Sequence, residues 1–133
     1  MNLNTPFTNP SLLDQAEEFR SAYNLQATGE TARPTQKSLI DEEWSELHEA
    51  YHHKDAAEQL NELADLVYVC FQYAASQEWD LDEAMRRVHR ANMSKLGEDG
   101  KPIYRGDGKV LKGPNFKKAT FEDLVWLTKG SKS

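Results

Sequence analysis

Cysteine is nearly missing from this sequence: Cys70 stands alone among 133 residues. A single thiol excludes an intramolecular disulfide framework and a Cys-rich zinc module. Long apolar runs are missing as well. The longest, Leu66 to Ala75, is broken by Gln72 and is far too short to span a bilayer. The N-terminal MNLNTPFTNP has no basic stretch leading into an apolar run, so no secretory leader is expected. Glycine is scarce except in one place, with five of the seven between Gly97 and Gly113. What is left is an ordinary soluble composition, 38% hydrophobic and 29% charged, which is far from the disordered extreme. Residues 1–133 read as one cytoplasmic domain able to bury about two-thirds of its unfolded surface.

Charge is unevenly placed. Acidic residues number 22 against 16 Lys plus Arg, which argues against nucleic acid or an anionic membrane as a partner. From Asp41 to Asp65 there are nine carboxylates and one base, Lys54. From Arg86 to Ala119 the balance reverses, with ten bases against Glu98, Asp99 and Asp107. An acidic centre attracts cations. A basic segment folded over it would hold an anion attached to those cations.

Apolar spacing predicts four helices. The first is expected over Pro10 to Tyr23, capped by Asn9, with Leu12, Ala16, Phe19 and Tyr23 along one face. Residues 24–34 read as loop, broken by Gly29 and Pro34. Thr35 would cap a second helix from Gln36 to His53. Asp55 with Glu58 would open a third from Ala56 to Gln77, and Asp80 with Glu83 a fourth from Leu81 to Leu96. Gly97 would stop the last one. Beyond it, 103–105 and 109–111 flank Gly106-Asp107-Gly108 as a short hairpin. Thr120 with Asp123 would cap a terminal helical turn packing Phe121, Leu124, Val125 and Leu127, followed by a frayed KGSKS. The expected fold is all-α: a four-helix bundle with a C-terminal hairpin or flap and a terminal helical turn. The apolar breadth of the third helix permits pairing of copies.

Two acid pairs carry the chemistry. Glu43 and Glu46 on the second helix, and Glu62 and Asp65 on the third, each stand at i,i+3 and so share a face. Glu43 projects between Leu39 and Leu47, inside the apolar stripe, which is anomalous for a carboxylate unless something pairs with it. If residues 50–57 reverse the chain, the four carboxylates converge, and repulsion with desolvation would cost several kcal/mol without counterions. Two Mg²⁺ ions, with Mn²⁺ able to substitute, would cancel that charge. Such a cluster suits hydrolysis rather than redox chemistry, because bound cations acidify water and hold phosphate oxygens. Glu42, about 100° around the helix from Glu43, is a candidate to orient or deprotonate the attacking water. His48, His52 and His53 lie off this stripe and read as solvated. A bundle di-iron site would want a histidine where Asp65 stands. Asn92 and Lys95, at i,i+3, and Arg105, Lys109 and Lys112 on the glycine-rich flap are candidates to meet a triphosphate. Tyr104 and Trp44 offer base-stacking surfaces, and a core or rim role fits them equally.

Glu42-Glu43-Trp44-Ser45-Glu46, followed after fifteen residues by Glu62-Leu63-Ala64-Asp65, resembles the EExxE…ExxD signature of MazG-like all-α nucleoside triphosphate pyrophosphohydrolases. That superfamily includes dimeric dUTPases and phosphoribosyl-ATP pyrophosphohydrolases. The resemblance implies magnesium held by Glu43, Glu46, Glu62 and Asp65, with Glu42 near the catalytic water. It also implies cleavage between the α- and β-phosphates of a small-molecule nucleotide triphosphate. Asn92-Met93-Ser94-Lys95 resembles the family's Asn-x-x-Lys element, and the segment from Asp99 to Asn115 resembles short bacterial and phage members, some of which prefer dUTP or related pyrimidine deoxynucleotides. The likeness covers residues 35–116 and implies a homo-oligomer, dimer or tetramer, whose copies can share basic residues. Trp44 is less typical than an aliphatic residue at its position. The leading expectation is a Mg²⁺-dependent (d)NTP pyrophosphohydrolase. The alternatives are a phosphoribosyl-ATP pyrophosphohydrolase and a non-catalytic nucleotide-sensing or interaction module.

Overall fold

The computed structural model describes residues 9–125. Among these residues the fold is all-α, as expected, with four helices and no sheet. The helices are α1 (Leu12–Ala22), α2 (Gly29–His53), α3 (Ala56–Gln77) and α4 (Leu81–Met93), followed by a 3-10 turn at Glu122–Leu124. No helix among them is long and apolar enough to cross a membrane. The chain divides into two compact units, one running to Leu81 and including Val125, the other Asp82–Leu124.

In the first unit, α1 starts two residues later than the expected Pro10. Ser11, not Asn9, is the cap: its hydroxyl accepts from the Asp14 amide, and its own amide donates to the Asp14 carboxylate, both at 3.0 Å. This reciprocal pair satisfies two amides at once, which Asn9 alone would not. The larger correction is in α2, which begins at Gly29 and carries Pro34 inside it. Pro34 is the sixth residue of this helix and costs it the hydrogen bond to the Glu30 carbonyl. What holds the extra turns comes from far away in sequence. Fully buried Gln77, at the end of α3, donates through Nε2 to the Gly29 carbonyl at 2.9 Å, and Ala32 and Gln36 of α2 are buried as well.

The third helix has the expected limits. Asp55 caps it by accepting from the Glu58 amide at 2.9 Å, and Glu78 closes it in the left-handed region at φ 61°. It packs on both neighbours. Against α1, Phe19 meets Tyr68 edge to face at 5.7 Å, and Gln72 donates to the Ala16 carbonyl. The two-residue link Lys54-Asp55 makes α2 and α3 an antiparallel pair. The contact between Gln77 and Gly29 joins the far ends of that pair. Among the described residues of this unit, the buried hydrophobic ones are Ala16, Ala32, Ala50, Phe71 and Ala74.

In the second unit, α4 ends at Met93 and not at Leu96. The Ser94 hydroxyl turns back onto the Ala91 carbonyl at 2.7 Å, and the Gly113 amide takes the Lys95 carbonyl at 2.7 Å. A Cβ at Gly113 would collide with the Leu96 carbonyl, so this close approach requires glycine. The expected hairpin forms in its shortest version: an antiparallel bridge from Tyr104 to Val110, flanked by the Arg105 amide on the Lys109 carbonyl and the Leu111 amide on the Ile103 carbonyl, both at 2.7 Å, with Gly108 at φ 90° in the turn. The terminal turn is a single 3-10 turn. Asp123, within it, forms a two-pronged pair with Arg87 at 2.8 and 2.9 Å. Leu127 and the terminal KGSKS lie outside the described residues.

Glu83 organises α4. It accepts from Arg86, Arg87 and Arg90 at 2.8, 2.9 and 3.1 Å. These three guanidinium groups hold its carboxyl at about 2, below the usual 4.5. A depressed carboxyl pKa stabilises the folded state above the unfolded pKa, and that stability is lost as pH falls through the folded one. Amide exchange protection along α4 is therefore expected to weaken between about pH 4.5 and 2. In Glu83→Gln it should be weaker throughout and insensitive to this window.

Candidate metal centre

The antiparallel link between α2 and α3 brings the two acid pairs together. Glu43, Glu62 and Asp65 each offer a carboxylate oxygen, and the three oxygens lie within 4.8 Å of one another. All three residues are half-buried. Glu46 is exposed but near enough to raise the pKa of both Glu43 and Glu62. Of the four carboxylates expected to converge, the two helices bring Glu43, Glu62 and Asp65 together, with Glu46 at the exposed edge.

Electrostatics mark the cluster as strained without a cation. Burial, then the charges of Glu46 and Asp65, the hydrogen bond from Glu46 and the charge of Glu62 push Glu43 up to about 7, from 4.5. Glu62 is also raised, by burial first and then by Glu46 and Asp65. One oxygen of Glu43 and one of Glu62 are sealed from solvent with no hydrogen-bond donor. Buried acceptors without partners are rare, and each asks for an explanation. A hard divalent cation would supply one, since Mg²⁺ and Mn²⁺ favour oxygen donors. The donor set and its orphaned oxygens fit such an ion.

The other candidates fall into separate places. Glu42 is exposed on α2. His48 and His52 are exposed, with ring centroids 4.8 Å apart, and His53 stands 3.6 Å from Glu49, so the histidines form a surface group as expected. Asn92 is exposed in the last turn of α4, and Lys95 lies just past the helix end, which corrects its placement on the fourth helix. Arg105 pairs with Asp107 at 2.6 Å, Lys109 is exposed, and the Lys112 ammonium sits 5.0 Å from the centre of the Phe116 ring. The exposed Tyr104 faces Val110 across the bridge.

Sequence reasoning missed Arg20 and Gln36, which are 8% and 7% exposed. A signal for Arg20 was present. It follows Ala16 by four residues and Phe19 by one, so it adjoins the apolar stripe of α1 as Glu43 does that of α2.

The all-α fold and facing carboxylate pairs fit the MazG-like superfamily, whose general chemistry is pyrophosphohydrolysis, and a family match places the chain there. Residues 13–92 match the family model of phosphoribosyl-ATP pyrophosphohydrolase. The match covers more than half of the chain, and the chain belongs to this family. A comparison with curated proteins finds no match. The matched stretch contains the carboxylate cluster and ends at Asn92, before the glycine-rich segment.

Proposed function

We propose that the chain hydrolyses the bond between the α- and β-phosphates of a nucleotide triphosphate, and that phosphoribosyl-ATP is its substrate. The observation that carries this reading is the cluster of Glu43, Glu62 and Asp65, with its unpartnered buried oxygens, inside the matched stretch. The family match supports phosphoribosyl-ATP better than a deoxynucleotide. In the reaction a water oxygen bonds to the α-phosphorus, the α–β bridging bond breaks, and pyrophosphate leaves.

In this reading Glu43, Glu46, Glu62 and Asp65 hold Mg²⁺, or Mn²⁺ in its place. Bound there, the cation supplies acidified water and neutralises charge on the breaking anhydride. Glu42 orients the water and takes its proton. Asn92 and Lys95 meet the phosphates by residue type and charge. Arg105 exchanges Asp107 for a phosphate oxygen, Lys112 leaves the Phe116 ring, and Lys109 adds a third positive charge. Tyr104 offers an exposed ring to the base. Residues 1–133 act as one domain.

A second reading, dUTP or another pyrimidine deoxynucleotide, is favoured by the segment from Asp99 to Asn115, which lies outside the matched residues. Incubation with Mg²⁺ and either phosphoribosyl-ATP, ATP, dUTP or dCTP separates the two. Phosphoribosyl-ATP is expected to release pyrophosphate fastest. Faster release from dUTP or dCTP would establish the second reading, and no release from any of the four, with Mg²⁺ or Mn²⁺, would overturn both.

The same proposal includes a homo-oligomer, a dimer or tetramer. Leu12, Leu60, Leu63, Val67 and Tyr68 are exposed and line an apolar groove of about 420 Å³ along α1 and α3. Covering that groove with a second copy would bury apolar surface that the described residues leave open. Sedimentation of the full chain is expected to give at least twice the 15.2 kDa of one protomer.

A further inference from the structure

A second group of metal-ligating side chains stands outside the carboxylate cluster. In the last turns of α2 the sequence reads His48-Glu49-Ala50-Tyr51-His52. This is the H-E-x-x-H spacing, which sets two imidazoles on one face of a helix, about one turn apart. The fold keeps them together: both histidines are exposed, with ring centroids 4.8 Å apart and planes at 71°. Tyr51 packs edge to face on His52 at 4.9 Å and steadies its ring. Among the described residues neither His48 nor His52 takes part in a hydrogen bond or an ion pair, which leaves both rings open to a ligand.

The surroundings favour a cation, and the donors select its class. The pair sits at the C-terminal end of α2, where carbonyls carry partial negative charge. Nine carboxylates surround it in sequence from Asp41 to Asp65, and the one base there, Lys54, stands 3.7 Å from Glu58. Imidazole nitrogen suits zinc, nickel and copper, whereas Mg²⁺ keeps to oxygen. His48 follows Glu43 by five residues, about 7.5 Å along α2 and about 140° around it, which puts the two donor sets on different faces of the helix. The same spacing serves metalloprotease centres, with the glutamate as base and a third protein ligand on the zinc. Here Glu49 answers His53, at 3.6 Å. Among the described residues no third His, Cys, Asp or Glu closes on the pair. The arrangement is a two-point chelate with its other positions open to water, and not a catalytic zinc centre.

We propose that His48 and His52 chelate a borderline transition-metal dication, of the Zn²⁺, Ni²⁺ and Cu²⁺ class, at a surface site separate from the carboxylate cluster. Held across one turn, the ion staples the end of α2 beside the two-residue link to α3. The site does not rest on the hydrolase reading.

Calorimetric titration of the full chain with Zn²⁺, in saturating Mg²⁺, tests it. A saturable binding event is expected. In His48→Ala and in His52→Ala it should weaken by at least about tenfold, because a single imidazole cannot chelate. The same event should persist in Glu43→Gln, which alters the carboxylate cluster, and in His89→Ala, which alters an exposed histidine of α4. Both substituted positions are exposed and alanine is the best helix former, so circular dichroism should show unchanged helix content. A second measurement uses the wild-type chain. With Cu²⁺ at less than one equivalent, the electron paramagnetic resonance spectrum is expected to show hyperfine coupling to imidazole nitrogens, and the doubly substituted His48→Ala, His52→Ala chain to lose it. Equal Zn²⁺ affinity in the two histidine variants, or a wild-type Cu²⁺ spectrum with oxygen ligands only, overturns the site. A loss confined to His53→Ala overturns it too, by moving the metal to Glu49 and His53. No nucleotide enters either measurement, so the two readings fail separately. Missing pyrophosphate release leaves the histidine site standing, and missing Zn²⁺ binding leaves the hydrolase reading standing.

Discussion

Glu43→Gln is expected to lower pyrophosphate release by on the order of 10²–10³-fold and, at the same time, to make the metal-free protein more stable. The two signs come from one cause. Glu43 is half-buried in the apolar face of α2, among Glu46, Glu62 and Asp65, and its carboxyl is raised to about 7 by burial and by those neighbours. A glutamine of nearly the same shape removes a charge that the folded state holds at a cost. At pH 8 in the presence of a chelator, the variant should therefore melt several degrees higher, a gain of about 1 kcal/mol. The same change removes one of the anionic oxygens that would hold a cation, and losing a direct ligand costs more than the ten- to hundredfold of a supporting partner. Steady-state pyrophosphate release and a thermal melt check both halves. A variant that is inactive and also less stable would point to a structural Glu43, satisfied by packing rather than by a cation. A variant that keeps full activity would remove Glu43 from the site.

That pairing of signs could be foreseen from spacing, because a carboxylate between Leu39 and Leu47 contradicts the helix's own apolar pattern. The limits of α3 were equally legible, since Asp55 caps it and the apolar run of 66–75 carries it through. Features fixed by distant partners were not. The start of α2 depends on Gln77, 48 residues away from Gly29, and a local reading takes Gly29 and Pro34 as breakers. The early end of α4 depends on Gly113 reaching Lys95, a contact that no periodicity announces. The site divides in the same way. Helical spacing places carboxylates on faces, so the acid cluster follows from two short motifs and a two-residue link. The basic residues sit in a segment with one bridge and many glycines, where spacing says nothing about direction. In the structure Arg105 answers Asp107 and Lys112 answers Phe116. Arg20 escaped notice because a long side chain at a helix end ordinarily snorkels to water, and only the fold reveals that it does not.

Proton and metal binding should compete in a way that a melting curve can read. Without metal, Glu43 has a folded pKa of about 7 against 4.5 for an ordinary glutamate, and Glu62 is raised as well. The folded state then binds more protons than the unfolded chain across this interval, so stability falls as pH rises. The stabilising contribution is full below about pH 4.5 and gone above about pH 7. Solvent screening keeps the part owed to Glu43 to about 1–2 kcal/mol. Divalent cations bind the deprotonated carboxylates, so their stabilisation grows through the same interval. At a concentration of about a hundred times Kd it reaches about 2.7 kcal/mol. Melting temperatures in chelator should decline by several degrees between pH 5 and pH 8, while saturating Mg²⁺ should cancel the decline near pH 8 and change little at pH 5. Sodium chloride at matched ionic strength should not substitute, because screening weakens repulsion among exposed charges but cannot give the sealed oxygens of Glu43 and Glu62 a partner. In Glu43→Gln the decline in chelator should flatten and the Mg²⁺ response shrink together, since both originate in the same carboxylate. A Mg²⁺ effect equal at pH 5 and pH 8, or unchanged in this variant, would place the bound cation elsewhere on the acidic face of α2 and α3.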